Sequence, residues 1–499
     1  MNTRTKIQKN MLIGFGSQLM TIALGILVPR LVLTSYGSEI NGLLNSVTQI
    51  YSYIALLEAG VGMATVQALY KTVGTGDRAA TNAVLSATNR YYHRTGILYL
   101  IAILAFSFLY TVSIRTEIPT ATVVLIIIFN GMANVISYFF QGKYFLLLQA
   151  EGKNYIQTSL NMATNVFKNI AKIVLMSMGA DVLLVQALAM GISLIQMLYI
   201  TWYINKRYKW IDLSVEPDFK SISQSKNVLI HQISGLIFNN TDAIVLSAVC
   251  GLKIVSIYSM YTMLFGMIST ALSTVSSSVV FALGQMFHNN RKKFMKLYHC
   301  YETYYMSTVF ALYSVANFFI LPFMRLYTSG VNDVDYIDER LPLFFIATYL
   351  LSCGRSAPNQ VIIFAGHFKL TQNRSILESI INLIVSIIAV RIYGIYGVLI
   401  GTVAALLYRT NDIIIYVNHR ILYQSVWHTY KRWGCNMIIF ICILFINSRI
   451  QLEMNTYFEI IKYCIPYTVI TCLFYYIVAS FTNRNEFKLI KQYLKTKTI

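Results

Sequence analysis

Five basic residues stand inside long apolar stretches of this 499-residue sequence, namely Arg30, Lys168, Lys172, Arg355 and Arg409. A charge within an apolar stretch of membrane length is costly, so each cation is expected to bind a ligand or to be paired. Arginine holds a phosphate group with a planar fork, and lysine holds it as a point charge. Lys168 and Lys172 are four residues apart, which places them on one face of a helix. The pattern predicts an anion-binding cavity, with structural ion pairs or cations that snorkel to the lipid headgroups as the alternatives.

Four acidic residues lie in similar stretches: Glu58, Asp242, Glu378 and Asp412. A buried carboxylate can bind Na⁺ or H⁺, or it can pair with a buried cation. Asp412 follows Arg409 by three residues, so the two side chains can neutralise each other on one helix. The sequence therefore predicts ion-coupling or ion-pair roles for these acids and leaves the choice between the two roles open.

Proline accompanies two of the cations, as Pro29 beside Arg30 and as Pro358 three residues after Arg355. Proline inside a helix removes one backbone hydrogen bond and permits a kink. We therefore expect kinks beside these two cations, where they would suit hinged gates. Irregular packing is the alternative reading.

The sequence carries no recognisable catalytic or metal-binding motif. The patterns HExxH, GxSxG and the P-loop do not occur. The seven cysteines form no CxxC pair, and the seven histidines are dispersed along the chain. We therefore expect a protein that is not an enzyme and that holds no metal or cofactor.

The composition indicates which class of protein must position these side chains. The chain is 56% hydrophobic and only 12% charged, yet its formal net charge is +20. A soluble globular protein is typically about 25% charged, and a disordered chain is poor in apolar residues. A nucleic-acid-binding protein becomes this basic by adding charged residues, so no nucleic-acid partner is expected. The remaining class is a membrane protein that crosses the bilayer several times.

Fourteen apolar stretches have roughly the length of about 20 residues that a helix needs to cross a bilayer. Their helical lengths, without the alternating pattern of β-strands, predict an all-α polytopic bundle and not a barrel. No loop between them has room for a folded soluble domain. The predicted spans are residues 11–33, 40–68, 93–112, 120–140, 157–178, 182–204, 228–249, 256–286, 303–327, 342–364, 373–392, 396–417, 434–447 and 458–481.

The basic residues set the expected orientation, since short loops rich in lysine and arginine stay in the cytoplasm. With the amino terminus inside, 28 of the 40 basic residues fall on inner segments and only 7 on outer ones, when cations near the end of a span are counted with the adjoining segment. The even number of spans then places both termini in the cytoplasm. The basic carboxyl-terminal tail can lie on anionic lipid.

Short matches at a nearly constant offset indicate an internal repeat. Gln157 matches Gln372 and Gly179 matches Gly394, both at an offset of 215 residues, and residues 10–13 resemble 227–230 at an offset of 217. Transporters are often built from repeated halves. We therefore predict two parallel six-helix lobes, 1–215 and 216–425, around a central cavity. Spans 13 and 14 with the tail form the third region, 426–499.

Five segments, taken together in their order and spacing, carry a resemblance to a known family. They are Tyr36–Gly42, Leu57–Gly62, Asn240–Ser247, Glu378–Ser386 and Gly394–Thr402. The chain resembles the Wzx-type polysaccharide flippases of the multidrug/oligosaccharidyl-lipid/polysaccharide exporter superfamily. The resemblance covers nearly the whole chain.

The resemblance implies a flippase that moves an undecaprenyl-diphosphate-linked oligosaccharide from the cytoplasmic to the outer leaflet by alternating access. It implies the bacterial inner membrane and a role in O-antigen (lipopolysaccharide), capsule or exopolysaccharide assembly, with a polymerase and a chain-length regulator as possible partners. The five membrane cations would then bind the diphosphate. Tyrosines at positions 51, 53, 258 and 261 are further candidates, as sugar-stacking residues. A lipid II flippase, a multidrug cation antiporter of the same superfamily and a membrane enzyme of glycan assembly are the alternatives.

Overall fold

The computed structural model describes residues 3–58, 61–114, 116–222, 226–450 and 452–496. Every regular element in these ranges is helical. Nine helices in the described part are long and apolar enough to cross a membrane, and a shorter apolar stretch covers Ile233–Val249. The described residues of all fourteen predicted spans are helical apart from turns at Glu58, Met178 and Arg355. The protein is an all-α polytopic membrane protein, as the composition and the apolar stretches predicted.

The first compact unit comprises Met1–Ser256. A short 3₁₀ turn, Ala55–Leu57, follows α1, and a short π-helix, Ser137–Gln141, joins α4 to α5. Its helices are α1 (Thr3–Ile54), α2 (Val61–Thr75), α3 (Arg78–Ser113), α4 (Thr120–Ile136), α5 (Gly142–Ala150), α6 (Asn154–Ser177), α7 (Val182–Arg207) and α8 (Lys226–Val249).

Helix α1 holds the first predicted span and the start of the second, and it bends where they meet. Gly37 has φ 81° and ψ 178° and is the residue inside α1 whose backbone is not helical. This region of φ suits glycine because glycine has no Cβ to collide with the backbone. The kink expected beside Arg30 therefore lies seven residues later, at Gly37. Pro29 removes one hydrogen bond but leaves the helical backbone continuous.

The connection that follows α7 is folded against the beginning of α3. The Asn82 amide donates to the Trp210 carbonyl at 3.1 Å, and the Ser86 hydroxyl lies 3.0 and 2.8 Å from the carbonyls of Leu213 and Val215. Both side chains are buried. Because buried backbone carbonyls need donors, these bonds fix the path of the connection up to its last described residues.

The second compact unit comprises Ile257–Ile499. Helix α9 (Leu252–Asn289) begins in the first unit and continues into the second. A short π-helix, Val417–Leu422, follows α14. The other helices are α10 (Arg291–Tyr327), α11 (Leu341–Gly354), α12 (Ser356–Phe364), α13 (Phe368–Tyr393), α14 (Ile395–Tyr416), α15 (Trp427–Asn447), α16 (Tyr457–Thr482) and α17 (Arg484–Thr496).

Helices α13 and α14 approach closely through small residues. A Cβ added to Gly397 would lie 2.3 Å from the backbone of Ala389, and one added to Gly401 would lie 2.2 Å from Ser386 Oγ. Glycines four residues apart form one face of a helix, and membrane helices use such faces to bring their backbones together. This contact fixes the relative position of the two helices that carry Arg374, Glu378, Arg409 and Asp412.

Glycines at or near matching positions of the repeat, Gly179 with Gly394 and Gly152 with Gly366, have a shared backbone role. Gly179 and Gly394 have φ 73° and 55°, and Gly152 and Gly366 have φ 69° and 67°. All four end a helix or lie in the turn that follows it, where a left-handed residue closes the last turn. The matches therefore reflect equivalent turns. The lobe boundaries at residues 215 and 425 stay a prediction. The two compact units divide the chain at a different position, between Ser256 and Ile257.

Candidate functional site

Helix α6 carries a row of polar side chains on one face. Asn161, Asn165, Lys168 and Lys172 follow one another at intervals of four, three and four residues. This spacing keeps all four on the same side of a helix. All but the exposed Asn165 are partly buried. The predicted pair Lys168 and Lys172 therefore belongs to a continuous polar stripe, and it occupies the carboxyl-terminal half of that stripe.

The opposite face of α6 is apolar and exposed. Phe167, Ile170 and Val174 are 65%, 50% and 49% exposed, and a groove between α6 and α7 runs along this side. Lys168 and Lys172 therefore lie on the side of α6 away from these exposed apolar residues, next to the face that packs on α1.

No carboxylate of the described residues lies within 4.0 Å of Lys168 or Lys172. Two like charges four residues apart on a helix repel each other. A partly buried pair of this kind is stabilised when an anion binds between or beside the two ammonium groups. These two predicted cations therefore have no carboxylate partner among the described residues.

A cleft of about 350 Å³ lies between α1 and the polar side of α6. Asn165 and Asn169 line it from α6, and Val28 and Pro29 line it from α1. Arg30, which follows Pro29 in α1, is partly buried. Three of the five predicted cations thus lie on the two helices that border this cleft, but none of the three is among the residues that line it.

The other two predicted cations belong to an ion-pair network in the second unit. Arg355 Nη1 lies 2.5 Å from Glu378 Oε1, and Arg409 Nε lies 3.4 Å from Glu378 Oε2. Arg409 Nη1 also lies 2.6 Å from Asp412 Oδ2, and Arg374 pairs with the same carboxylate. Three cations therefore share two carboxylates, so the predicted acids Glu378 and Asp412 are engaged in ion pairs and the network keeps one positive charge in excess.

Arg355 lies at a break between two helices. Helix α11 ends at Gly354 and α12 begins at Ser356, with Arg355 between them. Pro358 cannot donate the backbone hydrogen bond that would have ended on Gly354, four residues earlier. The kink predicted beside this cation therefore occurs, and it places Arg355 at the junction of the two helices.

We expect Glu378→Gln to destabilise the second unit by about 3–5 kcal/mol, because it leaves two arginines without their shared carboxylate. Thermal unfolding of the purified protein in detergent measures the effect. Glu453→Gln is the matched control, since Glu453 is exposed and has no cation within 4.0 Å in the described part of the chain. Equal unfolding temperatures for the two variants would show that the network contributes nothing to stability.

The remaining predicted acids lie in the first unit. Glu58 follows the 3₁₀ turn after α1 and accepts a hydrogen bond from the Tyr92 hydroxyl at 2.6 Å. Asp242 is 4% exposed within α8. Its neighbour Thr241 lies 2.5 Å from the Tyr53 hydroxyl of α1. The structure therefore places Glu58 and Asp242 in separate surroundings, each beside a tyrosine.

Two tyrosines proposed to stack on sugars are parts of the core. Tyr51 is 6% exposed and stacks on Tyr99 at 6.3 Å, and Tyr261 is fully buried and stacks on Phe345 at 5.5 Å. Their ring faces are covered by protein. Aromatic residues that fill a core do not present a free face to a ligand, so these two positions are not sugar-stacking sites in this structure.

Sequence reasoning missed a second buried ion network. Arg432 of α15, which is 4% exposed, pairs with Glu302 of α10, which is 1% exposed, and its Nη2 lies 2.8 Å from Glu486 of α17. Thr429 adds a hydrogen bond to Glu302 at 2.9 Å. All three charged residues stand close to the ends of apolar stretches, where the sequence placed them in cytoplasmic segments. Helix α15 begins seven residues before the predicted span, so it includes Arg432, which the apolar stretch alone did not indicate.

The profile of the polysaccharide biosynthesis protein family matches residues 7–287, more than half of the chain. The chain belongs to this family. A search of curated protein sequences found no match. The resemblance stated from the sequence is thereby confirmed at the level of the family.

Solved structures show the same fold. The lipid II flippase MurJ in an inward closed conformation matches with a TM-score of 0.67 and 14% identity, over 95% of this chain and 99% of that chain. An inward-facing multidrug resistance MATE family transporter of the MOP superfamily matches at 0.62 and 15%, over 86% and 99%. The Vibrio cholerae MATE transporter VcmN matches at 0.53 and 14%, over 85% and 98%. The family member described here therefore has the fold of the MOP superfamily transporters, as the sequence resemblance implied.

Proposed function

We propose that this protein flips a polyprenyl-diphosphate-linked oligosaccharide from the cytoplasmic to the outer leaflet of the bacterial cytoplasmic membrane. The observation that carries the proposal is the pair Lys168 and Lys172, which lies on the polar face of α6, a predicted span, with no carboxylate within 4.0 Å in the described residues. The family match to polysaccharide biosynthesis proteins supports the glycan part of the substrate.

A diphosphate is the part of such a substrate that cannot cross hydrocarbon unaided, because the transfer of bare charge from water to lipid is prohibitive. The two lysines stand on consecutive turns, about 6 Å apart along the helix axis. Both ammonium groups can therefore contact one diphosphate. Their binding would replace part of its hydration during the crossing.

The asparagines of the stripe supply the other polar contacts. Asn161 and Asn165 precede the lysines on the same face, and Asn169 lines the α1–α6 cleft. Amide side chains both donate and accept hydrogen bonds, as sugar hydroxyls do. We assign the oligosaccharide to this part of the stripe. The polyprenyl tail stays in the bilayer, since the opposite face of α6 is apolar and exposed.

The ion that drives transport is proposed to bind at Glu58. This carboxylate accepts a hydrogen bond from Tyr92, and no cationic side chain of the described residues lies within 4.0 Å of it. Glu378 and Asp412 are already engaged by arginines, while buried Asp242 is a second candidate. A carboxylate without a fixed cation can exchange H⁺ or Na⁺ during a transport cycle.

We expect Glu58→Gln to remove the dependence of transport on an imposed H⁺ or Na⁺ gradient, because glutamine cannot release a proton or balance a cation. Uptake into vesicles with and without the gradient measures this dependence. Glu151→Gln is the control, as Glu151 pairs with Lys153 in the connection after α5. A Glu58→Gln variant that still responds to the gradient would move the coupling site elsewhere.

The orientation of the protein is proposed from its distribution of basic residues, and the glycan pathway is proposed from the family match. The concentration of lysine and arginine on alternate segments supports cytoplasmic termini. An O-antigen, capsule or exopolysaccharide pathway, with a polymerase and a chain-length regulator as partners, is proposed from the family match.

Deletion of the gene tests the function in the cell. We expect loss of the surface polymer and accumulation of the undecaprenyl-linked repeat unit on the cytoplasmic side. Accumulation of the peptidoglycan precursor would instead support a lipid II flippase, whose diphosphate the same lysines would serve. Unchanged glycans with altered drug sensitivity would indicate a cation antiporter and would contradict the proposal.

A further inference from the structure

A groove between the last two helices joins basic and apolar side chains. We call it the C-terminal groove, and its volume is about 510 Å³. Its lining includes Leu473, Ile477 and Phe481 of α16 and Arg484, Lys488 and Lys491 of α17. The lining holds three cations and no acidic residue.

The three cations lie on one face of α17. Arg484, Lys488 and Lys491 are separated by four and three residues, which aligns them along the helix. All three are exposed, and none has a carboxylate within 4.0 Å in the described part of the chain. The helix therefore presents a short row of unneutralised positive charge at the mouth of the groove.

The opposite face of α17 is fixed to the second unit. Glu486 lies 2.8 Å from Arg432, which is itself paired with buried Glu302. The Cys300 thiol also lies 3.6 Å from the Glu486 carbonyl. Because these contacts set the rotation of α17 about its axis, they hold its basic face on the side of α16.

The wall of the groove on α16 is apolar and open. Leu473, Ile477 and Phe481 recur every four residues and are 53%, 53% and 69% exposed. They cover about 12 Å along the helix axis, starting one residue before its carboxyl-terminal end at Thr482. An aliphatic chain laid along this wall would begin beside the cations and extend towards the centre of the membrane.

We propose that the C-terminal groove binds one anionic phospholipid, with the phosphate held by Arg484, Lys488 and Lys491 and an acyl chain along the α16 wall. Charge complementarity selects this occupant, since three cations without acids favour an anionic headgroup over a zwitterionic one. Near an anionic leaflet, three such cations give a preference on the order of a hundredfold. The apolar wall distinguishes a lipid from a free phosphate ion, which would make no use of it.

Native mass spectrometry of the full chain in detergent tests the proposal with phosphatidylglycerol and phosphatidylcholine of identical acyl chains. We expect phosphatidylglycerol to be retained at one copy and to bind at least tenfold more tightly. Changing Arg484, Lys488 and Lys491 to Gln together should remove this preference. Changing exposed Lys206, Arg207 and Lys209 to Gln, which removes the same charge elsewhere, should preserve it.

Two further arms test the lipid as the occupant. Ile477→Trp, which obstructs the wall without a change of charge, should weaken the binding of phosphatidylglycerol. Inorganic phosphate at millimolar concentration should not displace the lipid. Equal binding of the two phospholipids, equal losses in both triple variants, or full displacement by phosphate would overturn the proposal.

Discussion

The double variant Lys168→Gln, Lys172→Gln is expected to flip its substrate at a rate lower by about a hundredfold or more. Each lysine is proposed to make a charge-assisted hydrogen bond to the diphosphate, and such a bond contributes about 1.5–3 kcal/mol. The loss of both leaves the charge of the substrate uncompensated inside the membrane. The rate in vesicles that contain the purified variant measures the effect.

The controls for this pair are built into the same unit. Lys206→Gln removes an exposed lysine at the end of α7 and should leave the rate unchanged. Lys168→Arg with Lys172→Arg keeps both charges and should retain most of the activity. Wild-type rates for the double glutamine variant, at normal protein levels in the membrane, would contradict the role assigned to the lysines.

A disulfide between positions 41 and 256 is expected to stop transport. The Asn41 amide donates to the Ser256 hydroxyl at 2.7 Å, and both residues are buried. A Cβ on Gly42 would lie 1.9 Å from the Leu252 carbonyl oxygen, so the second half of α1 and the start of α9 are in direct contact. An alternating-access cycle that moves the predicted lobes 1–215 and 216–425 against each other would separate this contact. The Asn41→Cys, Ser256→Cys double variant would hold this contact closed.

The cross-linking experiment is reversible and therefore controls for folding. Under oxidising conditions we expect at least a tenfold loss of transport, and a reductant should restore it. The single cysteine variants should be insensitive to oxidation, and Cys250→Ser in the background removes the nearest native thiol in sequence. Undiminished transport with the disulfide formed would show that this contact does not open during the cycle.

The membrane helices were predictable from the sequence because their signal is local. An apolar stretch of about 20 residues indicates a span without knowledge of its neighbours. The alignment of Lys168 with Lys172 and the pairing of Arg409 with Asp412 also follow from helical spacing. The position of the bend in α1 did not follow from the sequence. Pro29 indicates a kink beside Arg30, but the backbone departs from the helix at Gly37, seven residues beyond Arg30.

The ion networks of the second unit were only partly predictable. Glu378 shares its carboxylate between arginines of two other elements, and Arg374, at the edge of a predicted span, completes the network. Arg432 and Glu302 were assigned to cytoplasmic segments, yet both are buried. Such pairs depend on how helices meet in space, which the hydropathy of a single stretch does not contain.

The most direct test of the flippase is a reconstituted assay with a labelled polyprenyl-diphosphate oligosaccharide. The purified chain is placed in vesicles, and a membrane-impermeant glycosidase removes the label only from headgroups on the accessible leaflet. We predict that the wild-type chain moves the protected fraction to the accessible side, while the Lys168→Gln, Lys172→Gln variant gives the rate of protein-free vesicles. A wild-type rate equal to that of protein-free vesicles would contradict the proposed function, and an active double variant would contradict the site.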